Sequence, residues 1–131
     1  MNLIIGGAFQ GKTDYARARF SLESADIFSC TAETAPDFSK KCVKHLEAYA
    51  LFALRRGEEP RAVLEDCRDQ WAGSVLILND ISCGVVPMDA ETRAWREACG
   101  RMAAYLAGEA DTVTRLFCGI PQVLKGGGDR G

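Results

Sequence analysis

The sequence predicts a three-layer α/β domain with a mainly parallel sheet. Three observations carry this. Apolar, strand-like runs alternate with helical stretches along the chain, the order that βα units produce. A glycine-rich turn joins the first apolar run to the first helical stretch. The run Val75-Leu76-Ile77-Leu78 is continuously apolar, as a strand covered on both faces requires.

Leu3-Ile4-Ile5 is too short for a helix and is closed by Gly6-Gly7, which reads as a buried strand. Residues 13–22 are rich in helix formers and hold no breaker, so a helix follows. A second short strand is expected over 25–30, and the polar stretch 32–39, with Pro36, is a loop. Val43, Leu46, Ala50, Ala53 and Leu54 recur at helical spacing and predict a helix over 40–56, stopped by Gly57. Pro60 opens a helix to about residue 71. Val75–Leu78 is the strongest strand signal. Asp89 is a good N-cap for a helix reaching residue 107, with Trp95, Ala98, Cys99, Met102, Tyr105 and Leu106 on one face. The alternating stretch 112–118 closes the set as a last core strand. Residues 1–125 read as one domain and 126–131, opening on three glycines, as a flexible tail.

Composition narrows the function classes. The chain has 131 residues, 47% hydrophobic and 26% charged, with a formal net charge of −2. A basic nucleic-acid-binding surface is not expected from that balance. No run approaches the ~20 apolar residues of a membrane span. The amino terminus lacks the charged and long apolar regions of a signal peptide, so a cytoplasmic protein is expected. The six cysteines are spread almost evenly, without C-x-x-C, beside one histidine. That spacing suits buried free thiols, Cys118 among them, better than a zinc site or disulfides.

The motif with chemical content is Gly6-Gly7-Ala8-Phe9-Gln10-Gly11-Lys12-Thr13, which fits G-x-x-x-x-G-K-[ST] between a strand and a helix. Its glycines let successive backbone N–H groups turn into one cavity, where they hold phosphate oxygens. The following helix adds its own N–H groups and positive dipole end. Lys12 is expected to reach the β- and γ-phosphates of ATP or GTP, and the Thr13 hydroxyl to ligate Mg²⁺. This makes the domain a P-loop NTPase-type fold. Such a site also wants a carboxylate at a neighbouring strand end. Asp80, directly after Val75–Asn79, is the candidate second Mg²⁺ ligand and catalytic residue, and reads equally as a turn aspartate.

Beyond these motifs the chain resembles the bifunctional adenosylcobinamide kinase/adenosylcobinamide-phosphate guanylyltransferase family. Gly6 to Thr13 is similar to that family's G-G-x-x-S-G-K-S loop. Leu78-Asn79-Asp80-Ile81-Ser82-Cys83-Gly84-Val85-Val86-Pro87 is similar to its T-N-E-V-G-x-G-I-V-P segment. Arg93, Trp95, Arg96, Glu97 and Gly100 match its R-x-F-R-D-x-x-G helix, and Leu51-Phe52-Ala53-Leu54 its middle helix. Cys118-Gly119-Ile120-Pro121 is similar to its closing S-G-I-P. The resemblance implies phosphorylation of the aminopropanol hydroxyl of adenosylcobinamide by a nucleoside triphosphate. It also implies GMP transfer through a guanylylated histidine, a cobinamide-like corrinoid as substrate, and a homotrimer.

The chain departs from the pattern in several places. Family members are longer, and the missing stretch falls between the first helix and Lys40. The sole histidine, His45, is not followed by the R-P-x-x-W of the guanylyl acceptor, so it reads more readily as a residue of the 40–56 helix than as a nucleophile. An acidic strand-end residue before the middle helix is not evident, and Ala103-Ala104 replace an N-Q pair. Arg93, Arg96 and Arg101 read first as a solvated helix face, and alternatively as neighbours of a triphosphate or a subunit contact. Two functions fit these residues: a kinase with guanylyl transfer lost, or a nucleotide-binding partner protein of the same family without turnover.

Overall fold

The computed structural model describes residues 1–7, 11–80 and 89–126. In chain order the elements are β1 (Asn2–Gly6), α1 (Lys12–Phe20), a 3₁₀ turn (Ser24–Asp26), β2 (Ile27–Ser29), β3 (Cys42–Lys44) and α2 (Leu46–Arg55). They continue with α3 (Pro60–Asp66), α4 (Arg68–Trp71), β4 (Val75–Asn79), α5 (Ala90–Glu109), β5 (Thr112–Phe117) and β6 (Ile120–Lys125). The strands form one sheet in the order β2-β3-β4-β1-β5-β6. Every pairing is parallel except β5 with β6. The expected α/β class with a mainly parallel sheet is therefore the fold of this chain.

Burial explains the layers. β1 and β4 lie side by side at the centre, and Leu76, Ile77 and Leu78 are all buried because helices cover both faces. On one face Ile4, Cys42, Val75, Ile77 and Leu116 pack against Ala16 of α1 and Leu22. On the other, Leu3, Val43, Leu76 and Val113 pack against α2, α3 and α5 through Leu46, Leu64 and Met102. Asp89 caps α5 as expected, its carboxylate accepting from the Thr92 N–H at 2.7 Å. The Trp95 indole of α5 donates to the Glu47 carbonyl at 2.7 Å and ties α5 to α2.

Three expectations need correction. The helix expected over 40–56 begins only at Leu46, because Cys42–Lys44 is a sheet strand. Cys42 and Val43 face opposite sides of the sheet, the period-two pattern of a strand. Val43 and Leu46 imitate helical spacing across the junction, where His45 takes a left-handed conformation (φ 61°, ψ 47°). The helix expected over 60–71 is broken at Cys67 (φ −109°, ψ 26°), which lets the buried Trp71 indole donate back to the Leu64 carbonyl at 2.9 Å. The chain also does not end its sheet at 118. Cys118 (φ 53°) and Gly119 (φ 76°) make a two-residue turn with both φ angles positive, as tight hairpins prefer, and β6 returns along β5. Cys118 is accordingly exposed and not a core thiol, whereas Cys30, Cys42 and Cys99 are buried as expected. Cys83 and 127–131 of the expected tail lie outside the described residues.

Candidate functional site

The site is built at the carboxyl ends of the central strands, where open parallel sheets bind ligands. β1 ends on Gly6 because nothing larger fits: a Cβ there would sit 2.7 Å from the Leu116 carbonyl oxygen of β5. Gly11 stands at the N-cap of α1 with φ 80°, a conformation that only glycine adopts freely. Both positions belong to the expected phosphate loop, of which Ala8, Phe9 and Gln10 lie outside the described residues.

Lys12 follows as the first residue of α1 and is buried, its Nζ donating to the Gly7 carbonyl. Burial holds its ammonium below the usual lysine range, and the charge of Glu47 opposes that shift. Thr13 is half-buried on the next position.

Glu47 was not anticipated from the sequence. It lies in the first turn of α2, is buried, and accepts from the Asn79 backbone N–H and side-chain amide, each at 3.0 Å. His45 Nδ1 lies 3.0 Å from Oε2, the oxygen that also accepts from the Asn79 side-chain amide. His45 is thus an αL residue preceding α2, not a member of the helix, and its side chain engages Glu47. Glu47 stands three residues beyond the end of β3, inside a helix, where no signal in the sequence marked it.

Asp80 lies immediately beyond β4, exposed. The register pairs Gly6 with Asn79, and the Asp80 N–H donates to the Gly6 carbonyl at 2.8 Å, so Asp80 sits beside the start of the loop. The structure brings together Gly6, Gly7, Lys12 and Asp80 with Glu47. Residues 81–87 of the quoted segment lie outside the described residues.

Between these strand ends and α5 runs a cleft of about 480 Å³. Residues 5–7, 78–80 and 115–117 form its strand side, and Arg96, Cys99, Gly100 and Ala103 of α5 the opposite side. Arg96 therefore belongs to the site, whereas Arg101 pairs with Glu59 through two contacts of 3.0 and 3.1 Å. Arg115 also lines the cleft. Its charge inside an otherwise alternating strand, Thr112 to Phe117, was the visible hint.

A family model described as cobinamide kinase / cobinamide phosphate guanyltransferase matches residues 42–124, from β3 through β6. The chain belongs to this family. The bifunctional adenosylcobalamin biosynthesis protein CobU of Salmonella typhimurium is 29% identical to it over 113 residues, covering 72% of this chain. The chain spans about 62% of the length of that curated relative. P-loop-type folds are the rule of the family, in agreement with the mainly parallel sheet and with the strand Asn2–Gly6 and helix Lys12–Phe20.

Among the described residues no three His, Cys, Asp or Glu side chains gather into a metal cage. Thr13 and Asp80 carry hard oxygen donors, the class that Mg²⁺ takes together with the phosphate oxygens of a nucleotide. No described helix is long and apolar enough to cross a membrane.

Proposed function

We propose that the chain is a nucleoside-triphosphate-dependent kinase of its family. It transfers the γ-phosphoryl group of ATP or GTP to the aminopropanol hydroxyl of adenosylcobinamide. The observation that carries this reading is the buried Lys12, set at the N-terminus of α1 beside Gly7 and facing the charge of Glu47. A triphosphate is the partner that such an ammonium and a glycine-rich helix start are suited to hold.

Gly6, Gly7, Ala8, Phe9, Gln10, Gly11, Lys12 and Thr13 would cradle the phosphates, with Lys12 on the β- and γ-phosphates. Thr13 and Asp80 would hold Mg²⁺, which when bound neutralises charge on the phosphate oxygens. The acceptor oxygen forms a bond to the γ-phosphorus while the bond from phosphorus to the bridging oxygen breaks. The nucleoside diphosphate leaves with that electron pair, and the hydroxyl proton passes to water. Catalysis then rests on positioning and electrostatics. We assign His45 to holding Glu47, a role supported by the 3.0 Å contact, and leave guanylyl transfer out of the proposal.

The test is a mass spectrum of adenosylcobinamide after incubation with the protein, ATP or GTP, and Mg²⁺. A gain of one phosphate is the expected result. A GDP-linked product would return His45 to the acceptor role. Unchanged substrate with nucleotide binding intact would favour a binding protein without turnover.

A further inference from the structure

The cleft under α5 does not end at its mouth. Phe117 lines it and is also 65% exposed, and Ile120, directly opposite across the β5–β6 hairpin, is 67% exposed. Paired residues of an antiparallel ladder share a face. Phe117 also shares that face with Arg115, two residues earlier, and with the buried Val113 that packs under α5. The apolar pair therefore forms a ledge continuous with the cleft, on its α5 side. Large apolar side chains exposed together at the rim of a groove mark a surface that a ligand covers.

We propose that cleft and ledge together form the acceptor site, dividing a large acceptor into two parts. The hydroxyl-bearing arm enters the cleft, and one apolar face of the macrocycle rests outside on Phe117 and Ile120. This rests on the kinase reading above.

Size supports the division. Pockets of roughly 300–1,000 Å³ enclose drug-sized molecules, so a cleft of about 480 Å³ admits a short amide-linked alcohol and excludes an amide-fringed macrocycle. Chemistry supports it as well. Ile5, Leu78, Cys99 and Ala103 line the cleft with apolar surface, which suits the neutral carbon chain of the arm. Arg115 offers a polar group for its amide and hydroxyl. The room itself comes from small residues on α5: a Cβ added at Gly100 would meet nothing within 4 Å. The inner end of the cleft is bounded by Gly6 and Gly7, next to the loop that would hold the γ-phosphate. An arm inserted from the ledge thus points its hydroxyl towards the transferable group.

The experiment compares the wild type with Ile120→Ser, on the ledge outside the cleft, and with Ala103→Leu, which adds bulk inside it. Ile120 is 67% exposed, and circular dichroism checks that both variants are folded. Initial rates are measured with adenosylcobinamide and with N-acetyl-1-amino-2-propanol, a soluble stand-in for the arm. Ile120→Ser should raise KM for adenosylcobinamide about fivefold, with kcat and the KM for nucleotide held, and leave the small alcohol unaffected. Ala103→Leu should raise KM for both acceptors. An unchanged KM for adenosylcobinamide in both variants overturns the proposal. So does a raised KM for nucleotide, which would give the cleft to the nucleoside. A wild type that binds nucleotide and phosphorylates neither acceptor removes the kinase reading and this inference with it.

Discussion

Asn79, the last residue of β4, gives both its backbone N–H and its side-chain amide to the Glu47 carboxylate, each at 3.0 Å. One buried side chain thereby joins the start of α2 to the strand end that carries Asp80. The position is favourable twice over. A carboxylate in the first turn meets the positive end of the helix, and it faces the Lys12 ammonium across the sheet edge. His45 Nδ1 completes its surroundings at 3.0 Å.

Glu47→Ala is expected to leave the half-buried Asn79 N–H and amide without their acceptor, costing about 1 kcal/mol. Glu47→Gln keeps one acceptor for the backbone N–H and should lose less. Urea unfolding midpoints of the two variants check the order. Equal stability of wild type and Glu47→Ala would show that the contact contributes nothing.

Gly6→Ala forces a Cβ to within 2.7 Å of the Leu116 carbonyl oxygen, and backbone atoms have to move. A loss of about 1–3 kcal/mol is expected, as for overpacked cores. Gly73→Ala meets nothing within 4 Å and is the matched control, expected to be neutral or slightly stabilising. Thermal melts of both variants decide whether the strand contact or a general loss of glycine matters.

The β3 strand was hidden in the sequence because three residues are too few to display a period. Cys42, Val43 and Leu46 fit a helix and a strand-plus-helix equally, and only pairing with β2 and β4 resolves them. β6 was hidden for a different reason. All six of its residues are exposed and Pro121 interrupts it, so neither burial alternation nor propensity marks it. Where one physical cause dominates locally, the sequence was readable: continuous burial in β4 and the Asp89 cap of α5. Glu47 escaped notice because a helical glutamate is ordinarily solvated, and its burial arises only from the approach of Asn79.

The thiols should separate by reactivity. Burial pushes Cys30 and Cys99 up to about 12 and Cys42 up to about 11, from an ordinary 9.0. Cys118 is exposed. Iodoacetamide at pH 8, followed by peptide mapping, is expected to modify Cys118 well before Cys30, Cys42 or Cys99. Rapid modification of the three buried thiols in the folded protein would contradict the packing.

The same shifts set an alkaline limit. Because the folded protein keeps these thiols protonated more strongly than the unfolded chain does, their stabilisation is complete below pH 9. It is lost as the pH rises through 11 to 12. Unfolding midpoints measured from pH 8 to 11 should fall above pH 9, and replacing Cys30 and Cys99 by alanine should flatten that fall. A slope indifferent to these replacements would assign the loss to other groups.

The central claim is that Lys12 and its glycine loop hold the triphosphate whose γ-phosphoryl group is transferred. Its most direct test is phosphate transfer from γ-labelled ATP or GTP to adenosylcobinamide, comparing wild type with Lys12→Ala after circular dichroism shows both folded. The account predicts label in the corrinoid with the wild type, and a loss of about 100-fold or more in the variant. Equal labelling by the two proteins would contradict it.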